Sequence, residues 1–173
     1  QLDHFNPDSA PSSANTLVDA GVASDLRLTQ RLDRAHLFFG VAASKPWTTP
    51  QYESVAVEVR IDVDDDQRAD VLLINSNRAT FDAGWFLPDL ADDAFVTLAL
   101  QLSPSGNSFL ATEPLNALEA PLTDTNPFHN RVMVHSVAVP KLGLPAGRTR
   151  IAYQVAVIGS PGSPPSESRW IPV

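Results

Sequence analysis

The sequence predicts an all-β fold, an antiparallel β-sandwich of immunoglobulin-like or jelly-roll type with about nine strands. Several short segments alternate apolar and polar residues with a period of two, the pattern of a strand with one face in a core. Turn-forming Gly, Pro, Asn and Asp separate these segments at short intervals. No segment carries a persuasive helical pattern, and no internal repeat with a fixed period is present. The 173 residues suit one domain with a core of substantial size.

The composition is acidic, with a formal net charge of -8 and a sequence pI of about 4.7. Only 12 Lys and Arg residues are present, which argues against nucleic acid as a partner because phosphate binding needs a clustered basic surface. An acidic surface also holds anionic lipid poorly, and no apolar run approaches the roughly 18 residues of a membrane helix, so no membrane partner is expected. Cysteine is absent, which excludes a disulfide framework and a thiolate metal site.

The N-terminal region predicts a linker followed by strands. Residues 1–15 are rich in Pro, Ser, Asn and Asp and indicate a linker to an upstream module, with residues 16–173 as a single β-sandwich domain. Because the chain begins at Gln1 without a signal sequence, we expect a processed chain or a fragment of a longer protein. Residues 17–22 predict a short strand, and residues 23–30 predict another with Leu26 and Leu28 on one face.

Two loops carry aromatic residues that are candidate ligand-binding positions. Residues 44–53, after a strong predicted strand, hold Trp47 and Tyr52 on a proline-stiffened loop, and an irregular turn farther on holds Trp85 and Phe86. Such rings can form a stacking platform for a sugar or a peptide, because they offer a large contact area at little entropic cost. The competing interpretation is that Trp47 plugs one end of the sandwich, since large aromatics also dominate core energetics.

The clearest strand pattern lies in residues 54–77, where two apolar runs flank a cluster of aspartates. The second run, residues 71–74, is short, continuous and aliphatic, which predicts a deeply buried strand. The first run alternates, and its apolar members are expected on one side of a strand facing the core: Val55, Val57, Val59 and Ile61.

The connection between these two strands predicts a metal site. Alternating carboxylates occupy positions 1, 3, 5 and 9 of a loop, with a backbone carbonyl at position 7, an arrangement that lets oxygen atoms converge on a hard cation. Calcium fits this all-oxygen set better than zinc, which prefers nitrogen and sulfur ligands. The candidate ligands are Asp62, Asp64, Asp66, the carbonyl of Arg68, and Asp70.

Two positions depart from the EF-hand pattern. Gln67 stands where glycine usually allows the sharp turn, and Leu73 stands where a bidentate Glu would close the loop. Strands rather than helices are also expected to flank the loop, so an EF-hand is not predicted. The competing interpretation is an acidic, solvated hairpin loop that also includes Asp65 and binds no specific ion.

The Phe-Gly-Val segment at residues 39–41, Trp47, Pro50, the strand at residues 55–61 and the aspartate loop together resemble the C-terminal accessory domain of secreted bacterial subtilisin-like serine proteases. Those domains commonly contain a Phe-Gly-Val strand, a loop with Trp and Pro, a strand, and an Asp-x-Asp-x-Asp-Gly-x-x-Asp loop followed by another strand. The similarity extends to residues 137–144, with Gln67 in place of the family glycine. It implies an extracellular, noncatalytic β-sandwich appended to a protease domain upstream in the same secreted parent chain.

The remaining strands are expected at residues 95–102, 108–112, 131–139 and 149–158. In the first of these strands the alternating aliphatic residues are expected to face the core: Val96, Leu98, Leu100 and Leu102.

No catalytic constellation is recognisable in the sequence. There is no Gly-x-Ser-x-Gly motif, and the segments that surround the histidine and serine of subtilisin-type proteases are absent. His129 and His135 match no zinc spacing and are expected at the surface. We therefore expect no enzyme activity and interpret the chain as a calcium-stabilised accessory domain, structural or presenting a protein or polysaccharide substrate. A carbohydrate-binding module using the loop aromatics is the alternative, and a free-standing hydrolase has no positive support.

Overall fold

The computed structural model describes residues 2–5, 15–77, 94–116, 128–159 and 164–173. These residues form an all-β sandwich of two antiparallel sheets, which confirms the predicted fold class. The strands are β1 (Leu2–Phe5), β2 (Leu17–Ser24), β3 (His36–Trp47), β4 (Ala56–Asp62), β5 (Val71–Asn77), β6 (Phe95–Gln101), β7 (Ser108–Pro114), β8 (Asn130–Ala138), β9 (Ala152–Ile158), β10 (Ser166–Glu167) and β11 (Ile171–Pro172).

The smaller sheet has the order β1-β2-β3-β8, and the larger one has the order β10-β9-β4-β5-β6-β7, with β11 also paired to β9. The helical segments are short: α1 (Leu26–Thr29) and two 3₁₀ turns, Leu32–Arg34 and Val139–Leu142. Within the described residues, no helix has both the length and the apolar character that crossing a bilayer requires.

The core lies between the sheets, and the alternating residues of β4 and of the position just before it face this core, as predicted. Val55, Val57, Val59 and Ile61 are all buried members of one hydrophobic cluster. Across the sandwich, the ring of Phe39 on β3 packs edge to face on that of Tyr153 on β9, with centroids 5.1 Å apart.

Strand β6 turns the opposite face to the core from the one that its sequence predicts. Ala99 joins the core cluster, and Thr97 is buried against His135 of the other sheet. The pairing of Ala99 with Leu73 on β5 fixes this face, because Leu73 itself points into the core. The expected inward residues therefore lie on the outer side: Val96, Leu98, Leu100 and, just beyond the strand, Leu102. Val96 and Leu98 are nevertheless buried there, so hydrophobicity alone does not distinguish the two faces of β6.

The connection between β2 and β3 is also different from its prediction. A strand was expected over residues 23–30, but β2 ends at Ser24, and one helical turn and one 3₁₀ turn follow. The carbonyl of Asp25 accepts hydrogen bonds from the backbone N–H groups of Leu28 and Thr29, at 2.7 and 3.0 Å, which closes the helical turn. Leu26 and Leu28 consequently leave the sheet and point towards solvent.

The N-terminal segment contains a strand that its composition did not predict. Leu2–Phe5 forms β1 and pairs with β2 within the region expected to be a linker. Residues 6–14 of that region lie outside the described residues, and its role as a linker between modules stays a prediction.

Candidate metal centre

The aspartate loop, residues 62–70, connects β4 to β5 as a tight hairpin. The N–H of Asp70 donates to the carbonyl of Ile61 at 2.8 Å, which closes the base of the loop. The carbonyl of Asp70 in turn accepts from the N–H of Leu102 and from the side-chain amide of Gln101, at 2.7 and 3.1 Å. Both ends of the loop are therefore held by the larger sheet.

Asp62 organises the interior of the loop from the end of β4, where its side chain is buried. Its Oδ1 accepts the backbone N–H groups of Asp64 and Asp65 at 3.1 and 2.6 Å, and its Oδ2 accepts that of Gln67 at 2.8 Å. One carboxylate thereby folds the backbone around itself. Because an ionised carboxylate has about four lone-pair sites, three such bonds leave capacity for a further partner.

Three of the four predicted aspartate ligands converge. Carboxylate oxygens of Asp62, Asp64 and Asp70 lie within 4.8 Å of one another. Calcium binds its oxygen ligands at about 2.3–2.6 Å. Two ligand oxygens on opposite sides of one ion are therefore about 4.6–5.2 Å apart, which is close to the separation within this group. The spacing of the three carboxylates thus fits a single shared cation.

Asp66, the fourth predicted aspartate ligand, is not part of this group. Asp66 is exposed, and its Oδ1 accepts the N–H of Arg68 at 2.8 Å, a local bond within the loop. Arg68 is also exposed. The structure therefore brings together Asp62, Asp64 and Asp70 and leaves Asp66 outside the group, while the carbonyl of Arg68 stays a predicted ligand.

The sharp bend of the loop occurs at Gln67, the position where the related pattern has glycine. Gln67 has φ 63°, in the left-handed region, and Asp65 has φ 70°. Residues with a Cβ reach this region at a cost of roughly 1–2 kcal/mol, which Asp tolerates better than Gln. The loop therefore has a positive φ at the position where the EF-hand pattern has glycine, although Gln67 adopts a positive φ less readily than glycine does.

The carboxylates of the loop perturb one another. Burial raises the pKa of Asp70, and the nearby charges of Asp64, Asp62 and Asp66 raise it further, against the lowering effect of a hydrogen bond from the N–H of Val63. A raised carboxylate pKa means that the cluster holds negative charge at a cost. A bound cation would remove that cost.

Arg148 approaches the loop from the connection between β8 and β9, a contact that sequence reasoning missed. Its guanidinium donates to the carbonyl of Asp64 and lies 4.0 Å from a carboxylate oxygen of Asp65. Since 84 residues separate Arg148 from Asp64, no local pattern reveals the pairing. Arg148 is placed at the rim, where it partly balances the charge of Asp65.

The two aromatic candidates within the described residues, Trp47 and Tyr52, differ in their solvent exposure. Trp47 is only 5% exposed and belongs to the core cluster, which fits the interpretation that it plugs one end of the sandwich. Tyr52 is 41% exposed, and its hydroxyl lies 3.4 Å from a carboxylate oxygen of Glu58. A polar cleft of about 280 Å³ runs beside Trp47, with Asn15, Lys45 and Ser54 among its lining residues. Trp85 and Phe86 lie outside the described residues.

His129 and His135 lie in different surroundings, since His129 is exposed and His135 is buried. His135 was expected at the surface, but it is fully buried on β8, and the hydroxyl of Thr97 is its hydrogen-bond partner, 3.1 Å from Nδ1. Burial lowers the pKa of His135 to about 3, so the ring is neutral at ordinary pH. The alternation of β8 places His135 inward with Met133 and Val137, a signal that sequence reasoning did not use.

The comparisons with known proteins return nothing: no protein-family model, curated protein or solved structure matches the chain.

Proposed function

We propose that this chain is a noncatalytic accessory β-sandwich that binds one calcium ion in the aspartate loop. The observation that carries the proposal is the convergence of the Asp62, Asp64 and Asp70 carboxylates at one end of the sandwich. The resemblance described above supports the wider context, a module of a secreted subtilisin-like protease that acts outside the cell.

The chemistry of the loop favours a hard cation. The ligand atoms on offer are carboxylate oxygens, which suit calcium, and the remaining coordination positions are open to backbone carbonyls and solvent. Burial first, and then the charges of Asp64, Asp62 and Asp66, raise the pKa of Asp70, and a bound cation would offset both effects. Its role would be structural, since it would tie the ends of β4 and β5 together at the bend.

The expected affinity is that of an extracellular site, with a dissociation constant on the order of 10⁻⁴ to 10⁻³ M. Calcium at about 100 times the dissociation constant would raise the free energy of unfolding by about 2.7 kcal/mol. For a domain of this size the melting temperature would then rise by roughly 5–10 °C.

Thermal unfolding of the chain in excess calcium and in chelator tests the proposal, with Asp64→Asn as the informative variant. The Asp64 side chain accepts no hydrogen bond from a described residue, so this change removes charge without disturbing the Asp62 bonds that shape the loop. Asp65→Asn is the matched control, because Asp65 lies in the same loop, is largely exposed and is outside the converging group.

The two interpretations of the loop predict different signs. If the loop binds calcium, Asp64→Asn lowers the melting temperature in calcium but raises it in chelator, where it only relieves repulsion on Asp70. If the loop is a solvated acidic turn, Asp64→Asn either raises the melting temperature by the same amount in calcium and in chelator or leaves it unchanged in both. The proposal then fails.

The second candidate, a carbohydrate-binding module, is supported by the polar cleft beside Trp47 and by the exposed ring of Tyr52. Retention on insoluble polysaccharides that disappears in Tyr52→Ala would favour this function. Retention unchanged by Tyr52→Ala, or no retention at all, would count against it.

A further inference from the structure

The connection between β2 and β3 exposes three leucines in succession. Leu26, Leu28 and Leu32 are 38%, 82% and 58% exposed, and neither α1 nor the 3₁₀ turn Leu32–Arg34 buries a single residue. Single exposed leucines are ordinary, but several grouped on one protruding segment indicate an interaction site. We call this segment, residues 26–34, the leucine tip.

The leucine tip is fixed to the sandwich at both ends. On one side, the buried carboxylate of Asp25 accepts the backbone N–H of His36 at 2.7 Å. On the other, the carbonyl of the buried Ala35 accepts the N–H of Val139 at 2.9 Å. The leucines are therefore held outward by anchors in the fold.

The leucine tip also carries a local excess of basic residues within an acidic chain. Arg27, Arg31 and Arg34 are all exposed, so three of the 12 Lys and Arg residues fall within nine positions. Asp33 pairs with Arg31, while Arg27 and Arg34 form no ion pair with a described residue. The 3₁₀ turn Val139–Leu142, whose first residue is hydrogen-bonded to Ala35, contributes one more exposed basic residue, Lys141.

We propose that the leucine tip inserts into the surface of an anionic lipid bilayer. Three exposed leucines interspersed with three exposed arginines match the interface between acyl chains and anionic headgroups. Each Lys or Arg near such a surface contributes a favourable electrostatic term, while its aliphatic stem adds to the apolar contact. An acidic protein partner would also attract the arginines, but it would have to offer a groove for three separately projecting leucines, whereas a bilayer accommodates any convex apolar shape.

The overall charge of -8 does not oppose this orientation strongly, because charges beyond about 8 Å are largely screened at physiological ionic strength. The aspartate loop is the exception, since it lies at the same end of the sandwich. The start of β3 lies beside the end of β8, because His36 pairs with Ala138, and the end of β4 lies beside the start of β9, because Asp62 pairs with Ala152. The connection between β8 and β9 therefore lies at this end, where it contacts both Ala35 and Asp64. Calcium in the loop would lessen its repulsion of anionic lipid, a dependence that rests on the proposed function.

The chain contains no cysteine, so Leu28→Cys can carry one environment-sensitive fluorophore. The labelled chain is mixed with vesicles of phosphatidylcholine alone or of equal parts phosphatidylcholine and phosphatidylglycerol, in calcium and in chelator. We expect a blue shift of emission with the anionic vesicles only, and none from a label at Thr48→Cys, an exposed residue just after β3, at the opposite end of that strand from His36. No shift at Leu28→Cys in either condition would overturn the proposal.

Variants that keep the native Leu28 separate the apolar contribution of the leucines from the electrostatic contribution of the arginines in a vesicle sedimentation assay. Leu32→Ser should weaken binding, and Arg27→Gln with Arg34→Gln should weaken it by at least about tenfold and reduce its salt dependence. The matched controls are Val132→Ser, an exposed aliphatic on β8, and Arg131→Gln with Arg169→Gln, two exposed arginines elsewhere. Equal binding by tip and control variants would overturn the proposal. Binding that is equal in calcium and in chelator, yet weakened by Leu32→Ser, would support the leucine tip and contradict only the calcium effect, which rests on the proposed function.

Discussion

The hydroxyl oxygen of Thr97 lies 3.1 Å from Nδ1 of His135, and this contact joins the two sheets through the core. Thr97 belongs to β6 of the larger sheet and His135 to β8 of the smaller one, and both side chains are fully buried. Nε2 of His135 has no hydrogen-bond partner among the described residues. The Thr97 hydroxyl is therefore the one described side-chain group that satisfies this imidazole.

Thr97→Val should destabilise the fold by about 1–3 kcal/mol, because it leaves a buried ring nitrogen without a partner while it preserves the volume of the side chain. Chemical denaturation in urea measures the change. Thr97→Ser keeps the hydroxyl and removes only a methyl group, so it should cost less than Thr97→Val. A Thr97→Val protein as stable as the wild type would show that the contact contributes nothing.

The stability of the fold should fall in acid through His135. Its pKa is about 3 in the folded state and near 6.5 in the unfolded chain, so between these values the unfolded chain binds a proton that the folded protein does not. The neutral ring contributes fully above about pH 6.5, and its contribution is lost by up to about 1.4 kcal/mol per pH unit as the pH falls towards 3.

The His135→Asn variant isolates this effect from the carboxylates, which titrate in both proteins. Urea denaturation between about pH 7 and about pH 4 should show the wild type losing stability more steeply than the variant. Parallel pH profiles would mean that His135 accepts a proton in the folded state.

Asn75 on β5 should be a second essential polar residue of the core. Its Oδ1 accepts the N–H of Val57 at 2.8 Å, and its Nδ2 donates to the carbonyls of Pro50 and Val55, each at 2.9 Å. One buried amide thus holds the loop before β4 against the larger sheet. Asn75→Ala should cost on the order of 3 kcal/mol, since three backbone groups lose their partner.

Denaturation midpoints of Asn75→Ala and of Asn107→Ala, at an exposed turn residue, measure this contribution. We expect the second change to be nearly neutral. A small effect at both positions would contradict the role assigned to Asn75.

Gln67→Gly should stabilise the aspartate loop, because glycine reaches φ 63° without the penalty that a side chain incurs. The gain is limited to about 1 kcal/mol, since glycine also has more freedom in the unfolded chain. Gln67→Val should destabilise the loop, as β-branched residues rarely adopt a positive φ. Melting temperatures in the order Gly above Gln above Val are expected, and the reverse order would show that the loop does not bend at this residue.

Where the pattern is local, the sequence predicted the fold and the proximity of three aspartates. The period of two in Val57, Val59 and Ile61 identified an inward face correctly, because β4 has polar residues on much of its other side. The convergence of Asp62, Asp64 and Asp70 follows from their spacing in a single hairpin. Asp66 lies outside this group, and its Oδ1 accepts the neighbouring N–H of Arg68.

The features that the sequence missed depend on contacts between distant segments. The inward face of β6 is set by its register with β5, and apolar residues cover both sides of the strand, so Val96 and Leu98 gave a misleading signal. The pairing of β1 with β2 and the approach of Arg148 to Asp64 likewise involve residues far apart in the chain. Leu26 and Leu28 fitted a strand pattern, but a helical turn takes them out of the sheet.

Direct titration of calcium into the chelator-treated chain by isothermal calorimetry tests the central claim. We expect one saturable site per chain, with a dissociation constant on the order of 10⁻⁴ to 10⁻³ M. The affinity should be unchanged in Asp65→Asn and at least about tenfold weaker in Asp64→Asn, where the loss of one charged ligand costs more than about 1.4 kcal/mol. Heats of dilution alone, or equal binding by both variants, would contradict a calcium site formed by Asp62, Asp64 and Asp70.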